Sequence, residues 1–466
     1  MEQALWKWLI GGLIVSVAAV TVVAQTQGKD AQPLKWQPLK SFETLVAGED
    51  YAANEVLAIY NVQPTIENIK SALNPKGNLA RVANSKGMTI IDAIPIPARA
   101  SDPSGAKSKV CGRLLIRVRF TKQKDVQEAV GILNQQGIRI FGSGDALYGV
   151  APDGYDLPHQ NENDDEQDLW GLEATTAPNV AETGKGVRIA VLDTGVSRIA
   201  ALDVENGKNY VIPKIPTNNT NDDFTLAIEG HGTGVAGVAA GHDTNGQRIG
   251  IAPDAEIVPV KVCRRDGHCT DSSVVLGVCY AISKEARARV LNVSLGSFIN
   301  SPLLAGAIHD ANLEKALVVA SAGNTRSLLS TDRDFNRPVF PAAFSNTSPY
   351  NLENLMSISS VDRKLRYAWY ATAHATVDMV APGTFIGTFR RDGSTYTNNS
   401  GGTSYAAPFV SGTAALMFSK NSSLSPANAK AILKRTADPK GCNQVQAVDS
   451  CGTGLLQVEK ALNATP

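Results

Sequence analysis

Continuous apolar runs alternate with helical patterns along the C-terminal two thirds of the chain. Runs such as VRIAVLD and ALVVASAGN lack the two-residue alternation of a half-exposed strand. Strands of this kind occur in parallel sheets that are covered on both faces by helices. The pattern predicts an α/β domain with a mostly parallel sheet and helices on both faces. Predicted strands lie within residues 187–193, 257–263, 289–296, 316–324, 355–362 and 377–383, and predicted helices begin at His231, Asp271 and Pro302, contain Ser404, or span residues 425–437.

The N-terminal third has a different pattern. Residues 54–152 predict a small α+β unit, with strands in EVLAIYNV, GMTIIDAIPI, GRLLIRVRF, IRIFG and ALYGVAP and helices in TIENIKSAL and KDVQEAVGILNQQ. Residues 26–53 lack sustained periodicity and are interpreted as a loose leader. The acidic stretch HQNENDDEQD, residues 159–168, is typical of a solvated linker, so we place a linker at 153–169 and a second domain at 170–466.

Length and charge limit the classes of protein. A chain of 466 residues exceeds what one ordinary core supports, which predicts two folded units. Lys and Arg together number 44, and so do Asp and Glu, so no strongly basic or acidic surface is expected. Nucleic acid is therefore not an expected partner, and partners must be inferred from local chemistry.

Residues 1–25 have two alternative interpretations. An apolar run from Trp8 to Ala24 follows Lys7 and ends in small residues, as in a secretory signal peptide. The alternative is a membrane anchor, because the run lies at the short end of the roughly 17–25 residues that a spanning helix needs. The first interpretation predicts a secreted, periplasmic or extracellular protein, and the second a membrane-anchored one.

Six cysteines in an exported chain indicate an oxidising compartment. Cys263 and Cys269 flank one short loop and Cys442 and Cys451 flank another, which predicts two local disulfides. Cys279 lies in an apolar helical stretch and is expected to be a buried free thiol. Cys111 stands alone in the N-terminal third, and no cysteine and histidine spacing suggests zinc.

Four residues are candidates for chemistry, and for three of them a plain structural alternative exists. Ser404 lies beside two glycines at an expected helix start, where it is either a nucleophile or a helix N-cap. Asp193 ends a predicted buried strand, where open α/β sheets place their ligand crevice, or it caps the following turn. His231 lies between two glycines at a helix start. Asn324 is either a turn residue or a hydrogen-bond donor to an oxyanion.

The four segments VLDTGV, GHGTGVAG, VVASAGN and GGTSYAAPFVSG occur in the order Asp, His, Asn, Ser, and with them the chain resembles the subtilases, the subtilisin-like serine proteases. The resemblance covers roughly residues 170–437. It implies that Asp193, His231 and Ser404 are the orienting acid, the general base and the nucleophile of a triad that cleaves peptide bonds through an acyl-enzyme, with Asn324 in the oxyanion hole. Because a histidine base must be neutral, activity is expected to fall below about pH 6 to 7.

The resemblance also suggests where substrate binds. Ser294, Leu295 and Gly296 are implied as an edge along which a peptide substrate lies extended. Ala322 and Gly323 are small and leave room for the side chain that precedes the cut bond. The sequence departs from the family pattern at Gly234, Ser297, Tyr405 and Phe409, none of which removes a catalytic group. The departures at Ser297 and Tyr405 leave the shape of the cleft open.

Other chemistries fit the pattern less well. Aspartic proteases need two Asp-Thr-Gly motifs, and only one is present. No histidine follows Ser404, as the α/β-hydrolase order requires. The chymotrypsin-like order is at odds with the alternating strands and helices. A catalytically inert subtilase-fold binding scaffold is the non-enzymatic alternative.

The family resemblance implies further features of the precursor. Residues 54–152 are expected to be a prodomain that assists folding and inhibits the protease within the same chain, with self-cleavage between about Pro152 and Asp168. No cofactor is expected for the chemistry. A structural calcium ion is common in the family, and residues 217–223, TNNTNDD, supply oxygen ligands, although an exposed polar loop has the same composition.

Overall fold

The computed structural model describes residues 169–466, apart from residues 212–215, 225–229, 244–247, 326–336, 399–400 and 444–449. Before residue 169 it describes residues 88–102 and 107–120 and several short strands, whose bounds are given below. Two compact units are present. The first contains Met1–Ile96 and Arg113–Ala146, and the second contains Pro97–Gly112 and Leu147–Pro466. The predicted helices in TIENIKSAL and KDVQEAVGILNQQ lie outside the described residues, as does most of the linker.

In the second unit each predicted apolar run contains a strand, and short additional strands occur in both units. Two strand pairs, β1 with β4 and β2 with β3, fall in the first 53 residues, where the pattern predicted no strand; strands of three or four residues are too short for a visible period. The strands are β1 Val15–Val17, β2 Val20–Val23, β3 Lys35–Pro38, β4 Glu43–Leu45, β5 Glu55–Tyr60, β6 Met88–Pro95, β7 Leu114–Phe120, β8 Ile138–Ser143, β9 Leu147–Gly149, β10 Arg188–Asp193, β11 Lys208–Asn209, β12 Glu256–Lys261, β13 His268–Thr270, β14 Val290–Val293, β15 Leu317–Ser321, β16 Leu355–Val361, β17 Met379–Pro382, β18 Ile386–Phe389 and β19 Thr395–Asn398.

The helices begin where the sequence carries helix-start residues. Thr270, Ser301 and Ser425 each accept a hydrogen bond from a backbone N–H in the first turn of the helix that follows, and proline stands at the start of two of those helices. Two 3-10 turns lie at Ala177–Asn179 and Ala342–Ser345. The described helices are α1 Trp170–Ala174, α2 His231–Ala240, α3 Asp271–Ala281, α4 Pro302–Leu313, α5 Thr403–Lys420, α6 Pro426–Thr436 and α7 Val458–Asn463.

A seven-stranded sheet forms the centre of the second unit, in the order β11-β12-β10-β14-β15-β16-β17, and every neighbouring pair is parallel. Alternate side chains of one strand face opposite helices. Val191 belongs to the core that contains α2 and α5, whereas a Cβ at Gly277 of α3 would lie 3.4 Å from Leu192. Helices therefore cover both faces, and the predicted α/β class with a mostly parallel sheet is confirmed.

The first unit contains a four-stranded antiparallel sheet in the order β6-β7-β5-β8. Ile59, Ala93 and Ile116 are buried on these strands. The strand predicted in ALYGVAP exists as β9, but it pairs antiparallel with β13, so it belongs to the second unit.

All six cysteines form disulfides. The two local pairs, Cys263–Cys269 and Cys442–Cys451, are confirmed. The expectation of a free thiol at Cys279 is wrong, because Cys279 is bonded to Cys111. A buried cystine is as apolar as its helical surroundings, so the sequence context of Cys279 did not distinguish the two states.

Among the described residues, none of the helices combines the length and apolar character that crossing a membrane requires. Most of the apolar run from Trp8 to Ala24 lies outside those residues.

Candidate active site

Asp193 lies at the carboxyl end of β10, in the middle of the parallel sheet, and its side chain is fully buried. The strand end leads into a tight turn, in which the Thr194 backbone N–H donates to Asp193 Oδ1 at 2.7 Å. Asp193 therefore does bond the following turn, as the structural alternative proposed. The same oxygen also lies within hydrogen-bond distance of the His231 imidazole, so Asp193 does more than stabilise the turn.

His231 is the first residue of α2 and is buried. Its Nδ1 lies 2.8 Å from Asp193 Oδ1, and because a carboxylate only accepts, the imidazole Nδ1 is the donor. Gly232 makes this approach possible, since a Cβ there would lie 2.1 Å from the Gly195 carbonyl oxygen and 3.0 Å from Asp193 Cβ. The ring of Tyr405 meets the imidazole edge-on, with 5.9 Å between centroids.

Ser404 is the second residue of α5, directly before the tyrosine that contacts His231. The N-cap of α5 is Gly402, which excludes the interpretation of Ser404 as an N-cap. Gly401 has φ of +74°, a backbone conformation that favours glycine. The Ser404 hydroxyl donates to the Ser294 carbonyl oxygen at 3.3 Å. Asp193, His231 and Ser404 thus come from a strand end and two helix starts that meet at one edge of the sheet.

Asn324 follows β15 and bonds the start of α5. Its Oδ1 accepts from the backbone N–H of Thr403 at 3.0 Å and from the Thr403 hydroxyl at 2.9 Å. These two bonds fix the orientation of the Asn324 amide, because only its oxygen can accept from the Thr403 N–H. The amide nitrogen, Nδ2, therefore lies on the other side and is available as a donor. A Cβ at Gly402 would lie 3.3 Å from Asn324 Nδ2, so the amide nitrogen lies against the turn before Ser404. This placement suits a donor to an oxyanion next to Ser404.

A buried hydrogen-bond chain holds the start of α5 to the end of β14. The Ser411 hydroxyl donates to Asn292 Oδ1 at 2.8 Å, and Asn292 Nδ2 donates to the Ser294 hydroxyl at 2.9 Å. The Ser294 hydroxyl in turn donates to the Ser404 carbonyl oxygen at 2.8 Å. The side chain of Ser294 is therefore occupied in positioning Ser404. Asn292, within the predicted strand of residues 289–296, is a central member of this chain of hydrogen bonds.

The other residues predicted to bind substrate lie on two neighbouring segments. Leu295 and Ala322 are buried, whereas Gly296 and Gly323 are half-buried. Val339, which sequence analysis missed, lies between the two glycines. A Cβ at Gly296 would be 2.5 Å from Val339 Cγ1, and a Cβ at Gly323 would be 2.7 Å from Val339 Cγ2. The two methyl groups thus fill the space between the two segments.

A second buried carboxylate, Asp222, supports the acid. Its Oδ1 accepts from the Thr194 hydroxyl at 2.9 Å, and its Oδ2 accepts from the Thr233 backbone N–H at 2.8 Å and hydroxyl at 2.9 Å. Burial, together with the nearby charge of Asp193, raises the pKa of Asp222 against the effect of these bonds. Asp222 ties the turn after β10 to the first turn of α2, and only its place in TNNTNDD hinted at a role.

In residues 217–223, the loop whose oxygen atoms could hold calcium, at least two side chains have hydrogen-bond partners within the protein. The Asp222 oxygens accept hydrogen bonds from Thr194 and Thr233, and Asn218 Oδ1 accepts one from Lys208 Nζ. In the parts of the chain that the structure describes, no three His, Cys, Asp or Glu side chains converge to hold a metal ion.

Three comparisons with known proteins agree with this geometry. Residues 184–454 match the model of the subtilase family. The chain is 34% identical over 295 residues to subtilisin BL of Lederbergia lenta, covering 63% of this chain and 97% of that protein. It is also 34% identical over 272 residues to thermitase of Thermoactinomyces vulgaris, covering 57% of this chain and 86% of thermitase.

A solved structure supports the same likeness. A protease from Pseudoalteromonas arctica PAMC 21717 has a TM-score of 0.52 and 26% identity with this chain, covering 68% of this chain and 99% of that one.

Proposed function

This chain belongs to the subtilase family, the subtilisin-like serine proteases, and from that premise we propose that it is a secreted serine endopeptidase made as a self-processing zymogen. The observation that carries the proposal is the 2.8 Å bond between Asp193 and His231, with the imidazole ring against the residue that follows Ser404. An acid, a base and a hydroxyl gathered from three distant segments are what nucleophilic catalysis requires.

In the proposed reaction, Ser404 Oγ exchanges its hydrogen bond to the Ser294 carbonyl for one to His231 Nε2 and attacks the peptide carbonyl carbon. His231 accepts the proton and then gives it to the leaving amine, while Asp193 stabilises the protonated ring. Asn324 Nδ2 and the backbone N–H groups at the start of α5 stabilise the oxyanion. Water then hydrolyses the acyl-enzyme through the same base.

Substrate is proposed to lie along Ser294, Leu295 and Gly296 through backbone hydrogen bonds, because the first two side chains are buried. Ala322 and Gly323 line the opposite side of the site for the side chain preceding the cut bond. Val339 fills the space between the two segments, which favours small side chains at that position.

The N-terminal region is proposed to be an export signal, residues 1–25, a leader to residue 53, and a prodomain over residues 54–152. Self-cleavage in residues 153–169 would then cut the backbone between the prodomain and the protease domain, residues 170–466. Export is supported by the three disulfides, which persist in oxidising compartments.

The test of catalysis is covalent labelling. A fluorophosphonate should label the purified protein at Ser404 and abolish hydrolysis of casein, while Ser404→Ala should take up no label. A serine reacts with a fluorophosphonate only when a neighbouring base activates its hydroxyl, and a catalytically inert scaffold lacks that activation. A folded wild-type protein that remains unlabelled after its N-terminal unit has been cut away would refute the proposed activity.

Self-processing has its own test. Ser404→Ala, expressed with its export signal in a host without secreted proteases, should accumulate as the uncut chain, whereas the parent is cut in residues 153–169. Trimming of the variant at the same position would refute self-cleavage and leave the labelling result untouched.

A further inference from the structure

Residues Pro97–Gly112, which we call the clasp, leave the first unit and join the second. In the chain the clasp connects β6 to β7, two neighbouring strands of the N-terminal antiparallel sheet. It nevertheless groups with the catalytic unit. Its two ends are closed by a hydrogen bond from the Gly112 N–H to the Pro97 carbonyl oxygen at 2.9 Å. A loop between two strands of the first unit is thus part of the body of the second.

Asp310, near the end of α4, is the main acceptor for the clasp. Its carboxylate is fully buried and accepts three consecutive backbone N–H groups. The distances are 2.8 Å from Lys109, 2.8 Å from Val110 and 3.0 Å from Cys111. A buried charge is stable only when it is well hydrogen-bonded, and here the clasp supplies those bonds. The buried carboxylate of Asp310 in the catalytic unit is therefore satisfied by the backbone of the clasp.

A second set of polar contacts holds the other half of the clasp. Arg99 is buried, and its Nη1 lies 2.7 Å from Oε1 of Glu314, which follows α4. The Ser101 N–H donates to the same carboxylate at 3.1 Å, and the Ala100 N–H donates to the Ile282 carbonyl oxygen at 2.9 Å. The clasp is therefore bonded to the ends of both α3 and α4.

Shape complementarity and a covalent bond complete the attachment. Val110 and Cys111 are fully buried, and a Cβ at Gly306 of α4 would lie 2.8 Å from Val110 Cγ2. Only glycine at position 306 lets the clasp approach this closely. Cys111 is bonded to Cys279 on α3, 168 positions further along the chain.

We propose that α3 and α4 form a permanent attachment site for the clasp, so that a cut in residues 153–169 does not release the N-terminal unit. The proposal rests on the zymogen function above. Hydrolysis of one linker peptide bond consumes one water and leaves a carboxylate and an amine, while the disulfide is unchanged. Cys111 then lies in one fragment and Cys279 in the other. The other two disulfides lie wholly in the second fragment, so this bond alone joins the pieces covalently.

The attachment changes how inhibition by the N-terminal unit can end. A free fragment would dissociate on dilution, but a tethered one stays at an effective concentration on the order of 1 mM. Full activation therefore requires further cuts within the N-terminal unit on either side of the clasp. The mature enzyme would keep a peptide containing Cys111 bonded to α3, where a simple subtilase would have a single chain.

The deciding experiment separates cleavage from self-processing. A recognition site for a sequence-specific endopeptidase is inserted after Asp164 in the full chain carrying Ser404→Ala, and the protein is cut with that endopeptidase. After denaturation with a thiol-alkylating agent, a non-reducing gel should show one species at the mass of the full chain. Addition of dithiothreitol should yield two fragments. Two separate fragments without reductant would overturn the proposal, whatever the activity of the wild-type protein.

Matched variants identify the bond responsible. Cys111→Ser with Cys279→Ser should give two fragments without reductant, whereas Cys442→Ser with Cys451→Ser should behave as the parent. Should the first pair fail to fold, tryptic mapping of the unreduced parent replaces it. A cross-linked peptide containing Cys111 and Cys279 supports the attachment, and its absence refutes it.

The non-covalent part has a separate readout. In the cut protein without the Cys111–Cys279 bond, Asp310→Ala should weaken association of the two fragments at least tenfold, measured by analytical ultracentrifugation. Glu353→Gln, which alters an exposed hydrogen bond from Asn312 of α4 to Glu353, is the control and should leave association unchanged. Equal affinity in the Asp310 variant and its control would refute the role of Asp310 as the acceptor that holds the clasp.

Discussion

Replacing Asp193 by asparagine tests how the acid acts on His231. The Thr194 backbone N–H, which can only donate, lies 2.7 Å from Asp193 Oδ1, and His231 Nδ1 lies 2.8 Å from the same oxygen. The asparagine must therefore place its carbonyl oxygen at this position and its NH₂ group at the position of Oδ2. The imidazole keeps the same tautomer in the variant, so the substitution removes the negative charge and preserves the orientation of the ring.

The magnitude follows from the distance between the charges. In the transition state His231 is protonated, and its charge lies about 3 to 4 Å from the carboxylate. At an effective dielectric constant of about 20, the lost attraction is about 4 to 6 kcal/mol. That energy corresponds to a decrease in kcat of roughly 10³- to 10⁴-fold. Among the described residues Asp193 Oδ2 has no hydrogen-bond partner, so the new NH₂ group would also be unsatisfied and lower stability by about 1 to 3 kcal/mol.

The assay is steady-state hydrolysis of a chromogenic peptide by the variant, after its chain has been cut in trans in the linker and on both sides of the clasp. We expect kcat to fall and KM to change little, because the charge acts on a group that is protonated only in the transition state. Asp203→Asn, at an exposed position, is the control and should keep the parental rate. A decrease of less than tenfold in kcat for Asp193→Asn would refute the electrostatic role.

Two further predictions concern specificity and stability. Val339→Gly should open the space between the two substrate segments, and the ratio of kcat/KM for a phenylalanyl over an alanyl peptide should rise at least tenfold; an unchanged ratio would place the pocket elsewhere. Asp378→Asn should lower the free energy of unfolding by about 3 to 5 kcal/mol in urea denaturation of the Ser404→Ala protein, because it removes the buried counter-charge of two half-buried lysines, Lys430 at 3.4 Å and Lys434 at 2.6 Å. Burial raises the pKa of Asp378, but Lys430 and Lys434 outweigh that effect and hold it below its usual value. Its contribution is thus present above the ordinary aspartate range and lost as pH falls through the lowered pKa, so the loss of stability in acid should be smaller in Asp378→Asn.

The parallel sheet and the places of the candidate residues could be predicted because both depend on local pattern. Buried parallel strands are continuous apolar runs, and their carboxyl ends lie at one edge of the sheet. Asp193 and Asn324 follow two such strands, so their convergence needed no knowledge of loops. His231 and Ser404 stand at helix starts preceded by glycine, which the sequence also displays.

The supporting residues could not be predicted in the same way. Asp222 lies in a polar loop, and only tertiary structure brings its carboxylate to Thr194 and Thr233. Val339 contacts Gly296 and Gly323 only because the folded chain brings its loop next to them. In each case the role depends on which distant backbone lies opposite, and a single sequence contains no period or motif that reports such a neighbour.

The wrong expectation for Cys279 has a different cause. Local context shows that a cysteine is buried, and burial is equally compatible with a free thiol and with a cystine. The count of cysteines is the better signal, because two local pairs leave Cys111 and Cys279 as the remainder. In an oxidising compartment an exported chain seldom keeps two unpaired thiols, so the pairing follows from the count together with export. The partner 168 positions away also means that the clasp and α3 must be folded against each other when the bond forms. Neither cysteine lies in residues 153–169, so the disulfide would persist if the linker were cut as proposed.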